Sequence, residues 1–392
     1  MSQPVYIQRI AGFLPGQPIA NDEMEAVLGQ VGERPSRARR VVLRNNGIRH
    51  RHYAIDPATG AATHNNAQLT AEAVRRLGGP GFELNDIDLL ACGTSTPDQI
   101  MPGHASMVHG ALGNPPCEFA SLSGVCISGV GSLRYAALAV AAGVTETAVA
   151  TGSELFSSFM RAGMFDDEAD HLVDALGTHP EKAFHRDFLR WMLSDGAGAM
   201  LLRASPAASG LCLRLNWIEQ RSFANKLPVC MYAGAENLAD GCLKGWREYA
   251  SPEAAARAGA FSLKQDVRLL NDHITQVSFG EGLAAVRACR TFSADEIDWF
   301  VPHYSSEYFR PRLAALMRQI GFEIPAARWV TNLADTGNVG AASIYFLLEK
   351  LAASDDIAPG QNILCFVPES GRFSSAFLHL TVVDREGAPG PQ

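Results

Sequence analysis

The second half of this 392-residue chain repeats features of its first half at an offset of about 210 residues. Residues 85–90 (NDIDLL) recur as residues 295–300 (DEIDWF), and each segment is an acidic turn that enters an apolar strand. A predicted helix that opens near Cys126 is matched by one that opens near Asn338. Repetition at a fixed offset indicates that one folding unit occurs twice in the chain.

A matched pair of strand ends extends the repeat. An apolar strand that ends at Glu154 corresponds to residues 363–367, which lead into a Glu-Ser-Gly turn. We therefore predict two similar halves, residues 1–210 and residues 211–392, which pack around shared central helices. Loops at equivalent strand and helix ends would then meet at one place, and that place is the expected active site.

The alternation of secondary structure gives the fold class. Apolar runs of strand length alternate with amphipathic helical segments, as in residues 67–77 (AQLTAEAVRRL) followed by residues 87–92 (IDLLAC). This order predicts a layered α/β fold rather than an all-β one. Residues 161–190 break the rhythm because they are charged and rich in histidine, and we interpret them as an inserted lid or dimer element.

Charge and cysteine usage exclude several classes of function. A formal net charge of -8 gives no broad positive field for nucleic acid. The eight cysteines form no CxxC pair, which argues against a zinc site or a disulfide framework and favours a reduced, cytoplasmic compartment. The sequence shows no signal-peptide pattern at its start, and no apolar stretch approaches the ~20 residues of a membrane span.

Three polar residues stand at predicted element ends. Cys126 follows a Gly-containing turn and opens an apolar helix, so that backbone N–H groups and the helix dipole could stabilise a thiolate. His303 comes just after an apolar strand, and Asn338 lies between two glycines at a helix start. Taken alone, Cys126 could equally be an ordinary buried cysteine. His303 could be a histidine whose hydrogen bonds are satisfied, and Asn338 could be a turn-forming asparagine.

Together these residues resemble the β-ketoacyl-acyl-carrier-protein synthase III branch of the thiolase superfamily. Residues 10–15 (IAGFLP) are similar to the first strand and LP turn of that family, and residues 44–51 (RNNGIRHR) resemble its RTGI segment. Residues 195–199 (DGAGA) match a family strand. The resemblance spans nearly the whole chain and implies the thiolase fold, a duplicated five-layer αβαβα architecture with pseudo-twofold halves.

The resemblance also implies roles for the three residues. Cys126 falls at the position of the family's nucleophile, which would accept an acyl group from a thioester. His303 and Asn338 would hold the thioester oxyanion of the second substrate. Backbone N–H groups at Cys126 and at the Ser370-Gly371 turn would bind the other oxyanion. No metal or permanent cofactor is expected, and the substrates would be carried by an acyl carrier protein or coenzyme A.

Two departures from the family's fatty-acid initiator affect the substrate prediction. The initiator has an adenine-stacking Trp where this chain has residues 36–40 (SRARR). Arg40, with Arg44 nearby, could instead bind phosphopantetheine or an acidic carrier protein, or could lie on an ordinary solvated turn. Glu154 follows a Ser where the initiator has Ser-Asp. It could be a general base with a raised pKa, or a carboxylate that caps a neighbouring helix.

Several phrases favour one subgroup of the family. Residues 21–25 (NDEME), 43–48 (LRNNGI) and 124–130 (GVCISGV) are most similar to enzymes that form dialkylresorcinols or cyclohexanediones. That likeness implies condensation of two acyl thioesters followed by cyclisation. One alternative is a conventional synthase III that condenses an acyl group with a malonyl-carrier protein. A second, a non-catalytic partner of the same fold, is disfavoured because all three site residues are present.

The resemblance implies a homodimer as well. The candidate interface elements are the loop at residues 94–107 and the charged segment at residues 161–190.

Overall fold

A nine-stranded mixed sheet dominates the computed structural model, which describes residues 3–31, 39–164, 188–207, 210–238 and 240–384. The described strands are β1 (Val5–Phe13), β2 (Ile19–Ala20), β3 (His50–Arg51), β4 (Leu89–Thr94), β5 (Glu118–Ser123), β6 (Ala148–Glu154), β7 (Gly196–Arg203), β8 (Cys212–Ser222), β9 (Met231–Tyr232), β10 (Ala235–Asn237), β11 (Leu243–Gly245), β12 (Lys264–Gln265), β13 (Trp299–Pro302), β14 (Asn362–Glu369) and β15 (Ser374–Val383). The order in the large sheet is β5-β4-β6-β7-β1-β8-β15-β14-β13.

Helices cover both faces of this sheet. The described α-helices are α1 (Met24–Leu28), α2 (Arg39–Asn46), α3 (Asn66–Arg75), α4 (His104–Leu112), α5 (Ile127–Ala141), α6 (Ser157–Met160), α7 (Pro252–Arg257), α8 (Val267–His273), α9 (Gly282–Arg287), α10 (Arg310–Gln319), α11 (Leu333–Thr336) and α12 (Ser343–Ala352). A π-helical segment, Ile274–Glu281, joins α8 to α9.

Strand pairing confirms the repeat that the sequence predicts. In the first half β4 runs parallel to β6, and β6 runs antiparallel to β7. The second half copies this with β13 parallel to β14 and β14 antiparallel to β15. The copy is incomplete at the edge. The pairing of β5 with β4 has as its counterpart a single parallel bridge between Phe300 and Trp329.

The acidic turns of the two halves make the same hydrogen bonds. Asp88 accepts the Thr147 N–H at 2.9 Å, and Asp298 accepts the Asn362 N–H at 2.8 Å. Asp88 thereby fixes the start of β6, and Asp298 fixes the start of β14. Buried or half-buried backbone donors need such partners, which explains why the acidic turn recurs in the sequence.

Five layers result from the way the sheet wraps its central helices. Helices α3 and α4 cover the outer face of the first half, whereas the π-helical segment and α9 pack on β14 and β15. Helices α5 and α12 lie between the halves, where α5 packs against strands of both. Three large apolar clusters fill the spaces between the layers, and the central one, which surrounds the central helices, contains Val130, Leu133, Ile344 and Leu348. This is the thiolase-type α/β architecture that the resemblance implies.

The central helices approach the strands closely because glycines line the contact. A Cβ atom on Gly129 of α5 would lie 2.1 Å from the Ala341 carbonyl oxygen, and one on Gly152 of β6 would lie 2.3 Å from it. The Tyr345 hydroxyl donates to the Gly129 carbonyl oxygen at 2.8 Å. Small residues and one buried tyrosine therefore lock the two halves together.

Two predictions about chain organisation stay predictions. The division at residue 210 falls between β7 and β8, but β1 pairs with β8 and joins both halves in one sheet. Most of the proposed insertion, residues 165–187, lies outside the described residues. Among the residues that are described, no helix is both long and apolar enough to cross a membrane.

Candidate active site

Cys126 sits at the junction between an edge strand and a central helix. Strand β5 ends at Ser123, Gly124 adopts a φ of 146°, and Cys126 occupies the N-cap position of α5. The turn is closed by Ser128, whose N–H and hydroxyl both donate to the Val125 carbonyl oxygen, at 3.0 and 2.9 Å. A φ of 146° is costly for any residue with a Cβ, so glycine is required at this turn.

His303 and Asn338 come from the second half. His303 follows β13 and donates its backbone N–H to the Phe366 carbonyl oxygen at 2.8 Å. Asn338 is fixed from both sides, since its N–H donates to Met192 O at 3.0 Å and its carbonyl accepts from Ser194 N at 2.9 Å. Residues of the first half thus hold a residue of the second half in place.

The Asn338 side chain is oriented by one hydrogen bond. Its carboxamide oxygen accepts the Gly340 N–H at 3.0 Å. An amide whose oxygen is held in this way turns its NH₂ group, the donor, in the opposite direction. Asn338 is therefore arranged to donate a hydrogen bond rather than to accept one.

One cavity of about 50 Å³ brings the three residues together, as the sequence predicts. Its other walls are mainly apolar and come from α8, the π-helical segment, α10 and β14. The described residues that line it are Cys126, Leu270, Ile274, Thr275, His303, Tyr304, Ser305, Phe309, Leu313, Asn338, Phe366, Pro368 and Ser370. A thiol, an imidazole and a carboxamide in an apolar cavity can bind an acyl thioester and polarise it.

Burial sets the protonation states of the reacting groups. It lowers the pKa of His303 to about 4, so the imidazole is neutral at pH 7 and one ring nitrogen carries a donor N–H. Burial also raises the pKa of the Cys126 thiol, and the carboxylates of Glu154 and Glu369 raise it further. Desolvation and the two carboxylates therefore oppose the thiolate that the α5 N-terminus could stabilise.

Glu154 lies near Cys126 but outside the cavity lining. Its carboxylate accepts from the Ser95 hydroxyl at 2.5 Å, the Thr96 hydroxyl at 2.9 Å and the Ala341 N–H at 3.3 Å. Burial raises the pKa of Glu154 to about 7, although these hydrogen bonds lower it in part. A role for Glu154 in proton transfer stays a prediction.

The predicted substrate-binding residues fall into two groups. Ser370 lines the cavity, and Gly371 follows it in the same turn. Arg40 and Arg44 are exposed on α2, away from the lining. Helix α2 packs against the 3₁₀ turn Glu307–Phe309, and Phe309 is a cavity residue. The two arginines therefore lie on an element that borders the outer wall of the site.

Sequence reasoning missed Glu369, which the structure places beside the cavity. Its neighbours Pro368 and Ser370 both line the cavity, and its own side chain is buried. Its carboxylate accepts the N–H groups of Gly371 and Arg372. The repeat could have identified this residue, since Glu369 ends β14 at the place where Glu154 ends β6.

Comparison with known proteins finds relatives that match most of the chain. The family described as 3-oxoacyl-[acyl-carrier-protein (ACP)] synthase III C terminal matches residues 287–376, a span that includes His303, Asn338 and Ser370. The chain is 26% identical over 360 residues to the beta-ketoacyl-[acyl-carrier-protein] synthase III of Neisseria gonorrhoeae, covering 91% of this chain and 93% of that protein. Over nearly its whole length the chain is therefore similar to ketosynthase III enzymes of the thiolase superfamily. It is an acyltransferase that catalyses a Claisen-type condensation.

Solved structures support the fold of this ketosynthase. AbyA1, a tetronic acid condensing enzyme, aligns with a TM-score of 0.70 at 21% identity, covering 96% of this chain and 99% of the other. Xanthomonas campestris OleA, in its H285A form, aligns with a TM-score of 0.71 at 19% identity, covering 97% and 98%. At these identities the likeness concerns the fold, and the dialkylresorcinol subgroup stays a prediction.

Proposed function

We propose that this ketosynthase condenses two acyl thioesters through an acyl group on Cys126 and then closes a ring, giving a 1,3-cyclohexanedione or a dialkylresorcinol. The observation that carries the proposal is the single apolar cavity shared by Cys126, His303 and Asn338. An acyl chain can occupy apolar walls while the thioester carbonyl faces the polar residues.

The first half-reaction loads the acyl group. The Cys126 sulfur attacks the thioester carbonyl carbon, the carrier thiol leaves, and the acyl enzyme forms with little change in bond energy. The thiol proton must be lost in this step because Cys126 is protonated at rest. The departing carrier thiolate takes up this proton, so loading exchanges one thiol for another and does not depend on His303.

The second half-reaction forms the carbon–carbon bond. A second thioester loses an α-proton, and the resulting enolate attacks the acyl group on Cys126. The enolate oxygen is stabilised by the His303 N–H and the Asn338 NH₂, which the Gly340 contact orients as a donor. A 3-oxo group on one substrate supplies the second carbonyl that ring closure needs. The sequence-based hypothesis for the base in this step is Glu154.

The carriers are proposed on chemical grounds. The substrates are thioesters on phosphopantetheine, either of an acyl carrier protein or of coenzyme A, and no resident cofactor takes part. Arg40 and Arg44 are exposed on α2, the helix that borders the outer wall of the cavity, and they suit the phosphate of such a carrier.

A cytoplasmic homodimer is part of the same proposal. Among the described strands β5 lies at an edge of the large sheet, and Phe119 on it is 51% exposed. Ile100 and Met101, in the predicted interface loop, and Leu138 on α5 are exposed as well. Edges and apolar patches of this kind are usually covered by a partner. Sedimentation velocity tests this point, since a monomer at micromolar concentration would contradict it.

A conventional synthase III is the second candidate. The Neisseria gonorrhoeae relative carries that name, and the cavity would serve a malonyl-carrier protein equally well. In that reaction loss of carbon dioxide creates the enolate, so no base is needed. The product would be a linear 3-oxoacyl thioester.

Mass spectrometry of intact protein and products separates the two candidates. The enzyme is given a medium-chain acyl thioester and then a 3-oxoacyl thioester, without a malonyl donor. We expect an acyl adduct on Cys126 followed by a cyclic product. An adduct that yields product only after addition of malonyl-carrier protein, and only a linear one, would refute the cyclising function.

A further inference from the structure

Condensation without a malonyl donor requires a base, and two buried carboxylates lie near Cys126. The carboxylates of Glu154 and Glu369 both raise the pKa of the Cys126 thiol. Neither side chain is itself among the cavity-lining residues. Glu154 is completely buried and is bonded by two hydroxyl groups of the β4 loop, whereas Glu369 is 6% exposed and its two chain neighbours, Pro368 and Ser370, line the cavity.

The Glu369 carboxylate is bound by its own turn. Its Oε1 accepts the Gly371 N–H, both oxygens accept the Arg372 N–H at 3.2 Å, and Oε2 accepts the Ser374 N–H at 3.2 Å. Backbone N–H groups that converge in this way form an anion-binding site. In the resting enzyme the anion is the enzyme's own carboxylate.

This turn touches the nucleophile's loop. A Cβ atom on Gly371 would lie 2.9 Å from the Val125 side chain, and Val125 immediately precedes Cys126. The Gly371 carbonyl oxygen is fixed by the N–H groups of Cys230 and Met231, at 2.8 and 3.2 Å. Buried Phe373 has a φ of 58°, an unfavourable value for a residue with a Cβ. Such strain persists only where surrounding contacts impose it, and it is concentrated at functional sites.

The Gly371 N–H therefore has two candidate acceptors, the Glu369 carboxylate and the oxygen of a bound thioester. The family resemblance assigns the N–H groups of the Ser370-Gly371 turn to the oxyanion of the thioester on Cys126, and the structure shows the Gly371 N–H bonded to Glu369. A thioester oxygen that takes this N–H leaves the Glu369 carboxylate with fewer donors. Burial already raises the pKa of Glu369, opposed by the N–H groups of its turn, so losing a donor makes the carboxylate more basic.

We propose that Glu369 is the catalytic base that removes the α-proton of the second thioester, after the acyl enzyme has taken over the Gly371 N–H. This assignment rests on the proposed function, because a malonyl donor would need no base. It replaces Glu154 in that role and makes base activation follow acyl loading.

The step balances within the site. The Glu369 carboxylate takes the α-proton, and the electron pair of the C–H bond becomes the enolate held by His303 and Asn338. The enolate carbon then bonds to the acyl carbonyl carbon, and the bond between that carbon and the Cys126 sulfur breaks. The departing thiolate recovers the proton from Glu369, a transfer favoured by the raised pKa of Cys126.

The test compares Glu369→Gln with Glu154→Gln in the full-length enzyme. Three rates are measured for each: acyl loading by intact mass, condensation with a non-malonyl donor, and condensation with a malonyl thioester. We expect Glu369→Gln to load normally, to lose about 100-fold or more in the non-malonyl reaction, and to keep the malonyl reaction. Glu154→Gln tests the competing assignment, and it should lose less of the non-malonyl reaction than Glu369→Gln.

The outcomes distinguish failure of Glu369 as the base from failure of the proposed non-malonyl condensation. Equal loss of both condensations in Glu369→Gln would show a structural role and overturn the assignment, as would loss of only the non-malonyl reaction in Glu154→Gln. A wild-type enzyme without any non-malonyl activity would overturn the proposed function, and the assignment with it. Should Glu369→Gln fail to fold, Glu369→Asp keeps the charge but shortens its reach. It should slow the non-malonyl reaction selectively, and equal slowing of both reactions would overturn the assignment.

Discussion

The two halves of this ketosynthase place a glutamate at the same point of the repeat, yet the two side chains have different surroundings. Glu154 ends β6 and is sealed by Ser95, Thr96 and the N–H of Ala341. Glu369 ends β14 beside the cavity and is held by N–H groups of its own turn. The repeat fixes where the backbone goes, whereas the neighbouring loops decide what a side chain can do.

The two matched helix starts differ in the same way. Cys126 begins α5 in the first half and offers a nucleophile, while Asn338 precedes α12 in the second half and offers a hydrogen-bond donor. The cavity lies where these ends meet. Duplication therefore gives one site to which the two halves supply different chemical groups.

Removing the nucleophile should have the largest effect. Cys126→Ala is expected to abolish acyl loading, because the only thiol among the cavity-lining residues is lost. Intact-protein mass spectrometry after incubation with an acyl thioester measures this directly. Cys242→Ala is the matched control, since Cys242 is an exposed free cysteine. An acyl adduct of normal yield on Cys126→Ala would place the nucleophile elsewhere.

Removing a donor from the second half should spare loading but slow condensation. We expect His303→Ala or Asn338→Ala to reduce the condensation rate about 100- to 1,000-fold, as is typical for loss of one oxyanion donor. His303→Gln, which keeps an N–H donor, should recover part of the rate. Single-turnover condensation from the preloaded acyl enzyme is the measurement. Failure of either alanine variant to load would contradict the division between the halves.

Sequence reasoning predicted the parts of the molecule that repeat. The acidic turns, the parallel strand pairs and the helix starts recur, because a short pattern such as residues 85–90 and 295–300 encodes a local structure. The same reasoning led to Cys126, His303 and Asn338 as neighbours. Their positions follow from element ends, which a duplicated fold brings together.

Side-chain environments were harder to predict than positions. A thiolate was expected at Cys126 because the helix N-terminus is visible in the sequence, whereas burial and the two carboxylates depend on the folded structure. The enclosure of Glu154 depends on Ala341, which is 187 residues away in the chain. Glu369 was missed although it ends a matched strand, because a Glu-Ser-Gly sequence suggests only a turn.

Burial of Glu154 should make the free energy of unfolding depend on pH. Folding raises the pKa of Glu154 from its ordinary value near 4.5 to about 7, so its protonated form is favoured in the native state. Its contribution is fully present below pH 4.5 and is lost as pH rises through about 7. At 1.36 kcal/mol per pKa unit, the wild-type free energy of unfolding should fall by up to about 3 kcal/mol relative to that of Glu154→Gln.

Urea unfolding of both proteins at pH 5 and pH 8 measures this loss. The stability difference between wild type and Glu154→Gln should shift towards the variant at pH 8. Any fixed cost of the amide affects both pH values equally and cancels in the comparison. A difference that does not change with pH would show that the Glu154 carboxylate titrates in the native state as it does in water.

The contact between the halves should tolerate no added methyl group. Gly152→Ala would place a Cβ 2.3 Å from the carbonyl oxygen of Ala341, and backbone cannot move aside as a flexible side chain can. We expect a loss of about 1–3 kcal/mol, the usual cost of overpacking. The matched control is Gly110→Ala, at an exposed position on α4 where a Cβ meets nothing within 4 Å. This substitution should raise the free energy of unfolding by about 0.5–1 kcal/mol. Urea midpoints measure both changes. Equal midpoints for the two variants would mean that the halves separate enough to admit a methyl group, and the shared cavity would then be less rigidly assembled than its contacts indicate.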